Sequence, residues 1–235
     1  MKTAKALRFG TMAVAAITGF LLALPVHAEI KSHLSNLIIE QPADLPEMAQ
    51  TPGESLFLYQ AGDETYLYVE QQEGTRLAVF NVTDPAKIKA ASSVELKTSR
   101  PFDFVRTLSD KAELVRFRDN LQVAVLDLHN AKSPTLKIVN ALNEPGQTES
   151  LGSTGFLMIN EPYKSVTAVA HDYQVVDTSN PSGPTPLATI KQVKHTVIDE
   201  ETGTTYLLGS EGLTVVRRPR IEDDYEVHQI QMEPN

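Results

Sequence analysis

Four times along this chain an apolar strand runs into a polar, proline-marked turn. The copies are Leu77 to Pro85 (LAVFNVTDP), Val123 to Leu128 followed by Ser133-Pro134, Tyr173 to Pro181 (YQVVDTSNP), and Leu213 to Pro219 (LTVVRRP). Their first residues lie 46, 50 and 40 positions apart. A motif that recurs at this spacing marks supersecondary units that cannot bury their apolar faces alone and must stack on one another.

Around each copy the sequence reads as four short strands separated by turn residues. The first unit takes Ser55–Tyr59, Thr65–Val69, Arg76–Phe80 and Ser93–Leu96. The second takes Phe102–Arg106, Glu113–Phe117, Gln122–Leu128 and Thr135–Val139. The third takes Gly155–Asn160, Val166–Ala170, Tyr173–Asp177 and Leu187–Ile190. The fourth takes His195–Asp199, Thr205–Leu208, Leu213–Arg217 and Glu226–Ile230. Four-stranded antiparallel sheets of this length stack around an axis, so the expected fold is all-β, a β-propeller of four blades, with five as the alternative. Val79, Val125, Val175 and Val215 are expected inside the blades. Asn81, Asp127 and Asp177 are expected to open the following turns by bonding the local backbone, and proline then fixes the chain direction. The fourth copy carries Arg217 at the position of that acid or amide.

The strand Tyr173-Gln-Val-Val-Asp with its Thr-Ser-Asn-Pro181 turn, and Leu77-Ala-Val-Phe-Asn with its Val-Thr-Asp-Pro85 turn, resemble the LVIVD-repeat group of bacterial β-propellers, many of them exported. The second copy departs by inserting residues before Pro134, and the fourth by Arg217. The resemblance spans Ser55 to Met232 as an architecture. It implies a propeller and no particular activity, since the repeated residues shape turns.

Residues 1–28 read as a secretory signal peptide. Lys2, Lys5 and Arg8 form a basic start, Thr11 to Leu24 an apolar core, and Pro25-Val-His-Ala28 a cleavage site. Export to the periplasm or beyond the cell is expected, with cleavage after Ala28 and no membrane insertion of the mature chain. The 235-residue chain has 21 basic and 30 acidic residues. The leader takes three of the basic ones, leaving 18 against 30 and a net charge of −12. A surface this acidic excludes nucleic acid as an expected partner, because such binding needs a basic footprint. The chain has no cysteine, so a packed core must hold it without disulfides. A single propeller domain over 55–235 is expected, preceded by a segment, 29–54, in which Asn36-Leu-Ile-Ile-Glu40 is a candidate ring-closing strand. Its expected partner is the outer strand of the fourth unit, Glu226–Ile230, whose edge is otherwise open.

No reactive constellation stands out. His33, His129, His171, His195 and His228 lack the spacing of metal ligands and occupy different places in their units, so no metal or other cofactor is expected. Ser153 in Gly152-Ser-Thr-Gly155 lacks the nucleophile-elbow pattern. Glu222-Asp223-Asp224 reads as a solvated turn between strands, Asp199 to Gly203 as a hairpin connection, and Asn81-Val-Thr83 as a turn. The site is therefore expected on the loops at the channel mouth, with Lys97, Arg100, Asp103, Arg118, Asp119, His171, Asp172 and Glu211 on that face and the Ala141–Ser153 connection beside it. The expected function is noncatalytic binding of a protein, peptide or envelope component. The alternative is a hydrolase or lyase that uses Asp103, His171 and Asp172 as acid and base.

Overall fold

The computed structural model describes residues 29–32, 34, 36–98, 100–119, 122–139, 148–150, 156–158, 170–177 and 185–232. The described chain enters through β1 (Ile30–Lys31), β2 (Ile38–Glu40) and two 3-10 turns at Pro42–Asp44 and Glu47–Gln50. The strands β3 (Gly53–Ala61), β4 (Glu64–Gln71), β5 (Arg76–Asn81) and β6 (Lys89–Glu95) pair antiparallel in chain order as one sheet. A second sheet repeats that order with β7 (Phe102–Ser109), β8 (Ala112–Phe117), β9 (Val123–Asp127) and β10 (Thr135–Ile138). Two hairpin pairs follow, β11 (Thr148–Ser150) with β12 (Phe156–Met158) and β13 (His171–Asp177) with β14 (Thr185–Val193). The last sheet joins β15 (His195–Ile198), β16 (Thr205–Gly209) and β17 (Gly212–Arg217) to β2 and β1, and α1 (Pro219–Met232) follows. The fold is thus all-β antiparallel with one helix among the described residues.

The turn chemistry expected at Asn81 and Asp127 is present, while the turn after Asp177, 178–184, lies outside the described residues. Asn81 Oδ1 accepts from the Thr83 amide at 3.1 Å, and Asp127 Oδ1 from the His129 amide at 2.9 Å. Asp84 caps the Pro85–Lys87 turn through the Ala86 amide. Asp199 accepts from the Glu201 and Thr202 amides, so Asp199 to Gly203 is the hairpin connection between β15 and β16. Each device satisfies backbone donors where the ladder stops.

Packing follows from strands that are apolar on both faces. On the first sheet, Leu67, Val69, Ala78 and Phe80 meet Tyr206, Leu208, Leu213 and Val215 of the last sheet. Its other face sets Tyr66, Tyr68, Leu77 and Val79 against Phe102, Val115, Phe117 and Leu126 of the second sheet. Beyond the last sheet, Leu207 packs on Ile190 and Val193 of β14. Burying each large apolar side chain is worth about 1.5–3 kcal/mol, so these interfaces dominate the stability. Val79 and Val215 are fully buried, whereas Val125 and Val175 are only partly so, which corrects the uniform reading of the four valines. Tyr173, near the start of β13, is 43% exposed.

The end of the chain differs from its sequence reading. Glu226–Ile230 lies inside α1 and is not a strand. Pro219 suits a first helical turn, Glu222, Asp223 and Asp224 complement the positive end of the helix dipole, and no glycine interrupts the run to Met232. Glu222 to Asp224 is therefore helix rather than an inter-strand turn. The strand expected within Asn36–Glu40 is present as β2, but it pairs with β17, in the register Val215↔Glu40, Val216↔Ile39 and Arg217↔Ile38. Ile39 is completely buried there. Gly212, at φ +117, lets β17 approach the preceding segment, since a Cβ would fall 2.3 Å from the Ala49 carbonyl oxygen.

Arg217 explains why the fourth copy breaks the repeat. Its guanidinium reaches Glu40 of β2 at 3.1 Å and Glu222 of α1 at 2.6 Å, with each of the three side chains only 9% exposed. The residue that would have turned the chain instead clasps the first strands and the final helix to β17. In the third unit, residues 166–169 and most of Ala141–Ser153 lie outside the described residues. Within the latter, Thr148–Ser150 is strand rather than part of a continuous connection.

Candidate functional site

The ends of three sheets meet at the start of β3. Glu54 lies on β3, Glu70 near the end of β4, Asp103 at the start of β7, Arg118 just after β8, and Lys194 and His195 at the start of β15. Ser55 Oγ donates to the Phe102 carbonyl at 3.1 Å, and the Leu56 amide to His195 Nδ1 at 2.8 Å, which ties β3 to both neighbours. The imidazole is held neutral with Nδ1 as acceptor. Burial keeps its pKa below the ordinary histidine value, opposed by Asp103 and assisted by Arg118.

Arg118 is the hub. It donates through Nε and a terminal nitrogen to Asp103 at 2.9 and 2.6 Å, to Glu54, and to the Phe102 carbonyl. Lys194 reaches the other oxygen of Glu54 at 3.1 Å. Below them, Glu70 has 0% exposure, and its Oε2 lies 3.8 Å from the Arg118 guanidinium. Neither carboxylate oxygen of Glu70 completes a hydrogen bond. Burial pushes its pKa up to about 7, resisted by Arg118 and the Gly74 amide and reinforced by Glu54 and Asp103.

The turn beside this network is strained. Gln72, Glu73 and Gly74 all have positive φ, at 52°, 54° and 81°. Left-handed backbone costs a non-glycine residue about 1–2 kcal/mol, and such strain concentrates at functional sites. Gly74 is required on a second ground, because a Cβ would fall 1.9 Å from the Arg100 carbonyl oxygen. Arg100 itself lies over the Phe117 ring at 4.1 Å and pairs with Asp119 at 2.7 Å.

Of the residues expected at the mouth, the structure thus brings Asp103 and Arg118 together in one network, with Arg100 and Asp119 paired beside it. Asp172 is engaged elsewhere, by Lys191 at 2.6 Å and by the Gln192 amide at 3.0 Å, where Gln192 takes a φ of 49°. His171 is exposed at the first position of β13, and Glu211 and Lys97 are exposed in turns. Of the acid/base set Asp103, His171 and Asp172, Arg118 holds the first carboxylate and Lys191 the second. Among the described residues, no group of three or more histidine or acidic side chains is placed to hold a metal ion, and no helix is long and apolar enough to cross a membrane.

Sequence reasoning missed Glu54, Glu70 and Lys194, and gave His195 no role, whereas its part-buried ring accepts from the Leu56 amide. Glu70 carried a usable signal. It closes the strand Tyr66-Leu-Tyr-Val-Glu70, whose residues are all buried, and a charged residue in a doubly covered strand is costly unless it has a task. The chain matches no protein-family model and no curated protein sequence.

Proposed function

We propose that the chain is an exported four-bladed β-propeller, akin to the LVIVD-repeat group, that binds a protein or peptide of the cell envelope through its channel mouth. The stacking order supports the propeller: the second sheet lies on the first, the first on the last, and the last on β14. The far face of the second sheet is covered as well, with Leu114 and Arg116 buried. The N-terminal β2 completes the last sheet, as ring closure requires.

One observation carries the binding role. Charged groups from three sheets converge at a single rim, where Glu54 and Asp103 keep 43% and 37% of their side chains exposed above a buried carboxylate that lacks a hydrogen bond. A rigid scaffold that displays charges from separate elements is suited to recognition. Affinity capture from an envelope extract tests this, with Glu54→Lys altering the mouth and Lys111→Glu altering the hairpin at the opposite end of the strands. The captured partner should be lost with Glu54→Lys and kept with Lys111→Glu. Retention by Glu54→Lys would overturn the assignment to this face.

A further inference from the structure

The charge at the mouth does not balance. Glu54, Glu70 and Asp103 face two cations, Arg118 and Lys194, and His195 is held as a neutral acceptor of the Leu56 amide. Arg118 gives its hydrogen bonds to Asp103, Glu54 and the Phe102 carbonyl, and meets the buried carboxylate only as an ion pair at 3.8 Å. Glu70, at 0% exposure, consequently has only that long ion pair and the nearby Gly74 amide to offset its burial, and neither oxygen completes a hydrogen bond. Burying a carboxylate in this way is unfavourable, and any added positive charge that frees Arg118 relieves it.

We infer that the mouth accepts one further cationic group, a lysine or arginine side chain of a bound peptide, which takes over Glu54 and Asp103 while Arg118 closes onto Glu70. This deepens the binding role proposed above and rests on it. Glu54 and Asp103 are the reachable members, so the ligand need not enter the core. Arg118 needs to shift by only about 1 Å to reach hydrogen-bond distance from Glu70. The chain's net charge of −9 attracts such a group over longer range. A proton on Glu70 answers the same imbalance, so proton and peptide compete. The groups that set this competition are Glu54 from β3, Asp103 from β7, Arg118 from the turn after β8, and Lys194 and His195 from the start of β15.

The test is an NMR titration of the protein with acetyl-Gly-Arg-Gly-amide, with acetyl-Gly-Gln-Gly-amide as the neutral control. The arginine peptide should perturb the Arg118 Nε and His195 ring signals, and the control should not. With Glu70 titrating near 7, binding should be about tenfold tighter at pH 8 than at pH 6. In Glu70→Gln, a neutral isostere, that pH dependence should vanish and the affinity at pH 8 should fall about tenfold or more. Equal affinity at the two pH values, equal binding of the control, or an unchanged Glu70→Gln variant would each overturn the inference. If the captured partner is lost with Glu54→Lys but kept by Glu70→Gln, the docking face stands and the cation site falls. Peptide binding with the expected pH dependence, but no partner lost with Glu54→Lys, would leave the cation site standing and remove the docking face.

Discussion

Two arginine-centred networks hold this molecule together, and they treat their carboxylates differently. In the clasp, Arg217 hydrogen-bonds Glu40 through one terminal nitrogen and both oxygens of Glu222 through Nε and the other. Glu222 also lies in the first turn of α1, where the helix end favours an anion. At the mouth, Arg118 serves two half-exposed carboxylates and leaves the buried Glu70 without a hydrogen bond. A saturated network of this kind fixes distant segments of the chain to one another. An unsaturated one stores unfavourable energy that a ligand can release, and that difference separates the clasp from the site proposed to bind.

The contrast can be broken by removing each part in turn. The largest effect is expected from deleting Glu29 to Gln50, which takes away β2 with its buried Ile38 and Ile39 and the packed Leu45 and Ala49. The loss should be on the order of 5 kcal/mol or more, seen as a much lower melting temperature. An unchanged transition would mean that the last sheet does not depend on its N-terminal strand. Next comes Arg217→Ala, which strands two buried carboxylates and should cost about 3–5 kcal/mol in denaturant unfolding. Arg118→Ala should cost less, because two of its three acidic neighbours can be hydrated. A larger loss at Arg118 than at Arg217 would invert the comparison.

The smallest effect has the opposite sign. Glu70 has a folded-state pKa raised from 4.5 to about 7, so the folded protein binds its proton more tightly than the unfolded chain does. That contribution to stability is complete below about pH 4.5 and is lost as pH rises through about 7. Glutamine at this position stays neutral. Glu70→Gln should therefore gain stability over the parent between pH 5 and pH 8, by up to about 3 kcal/mol. A flat difference across that range would show that Glu70 is compensated after all.

Much of the scaffold was legible because it rests on local chemistry. Asn81, Asp127, Asp84 and Asp199 act on amides two or three residues away, so the turns and the strands between them could be placed from the sequence. The rest depended on distant partners. Nothing local to Asn36–Glu40 says that it pairs with β17, and nothing local to Arg217 names Glu40, 177 residues away. The reading of Glu226–Ile230 as a strand gave too little weight to Pro219 and the three acids after it, which start a helix. The site was half visible. Arg118 and Asp103 could be placed on one face by repeat geometry, but Glu70 acquires its character from burial between sheets. The pairing of Asp172 with Lys191 depends on a bulge, between His171 and Tyr173 in the β13–β14 register, that no motif marks.

The most direct measurement is the titration of the Glu70 carboxyl carbon by NMR, with Glu70→Gln identifying its resonance. A buried carboxyl that lacks a hydrogen bond predicts a midpoint near 7. A midpoint near the ordinary 4.5 would mean that Arg118 or another donor already satisfies it, and the distinction between clasp and mouth would not hold.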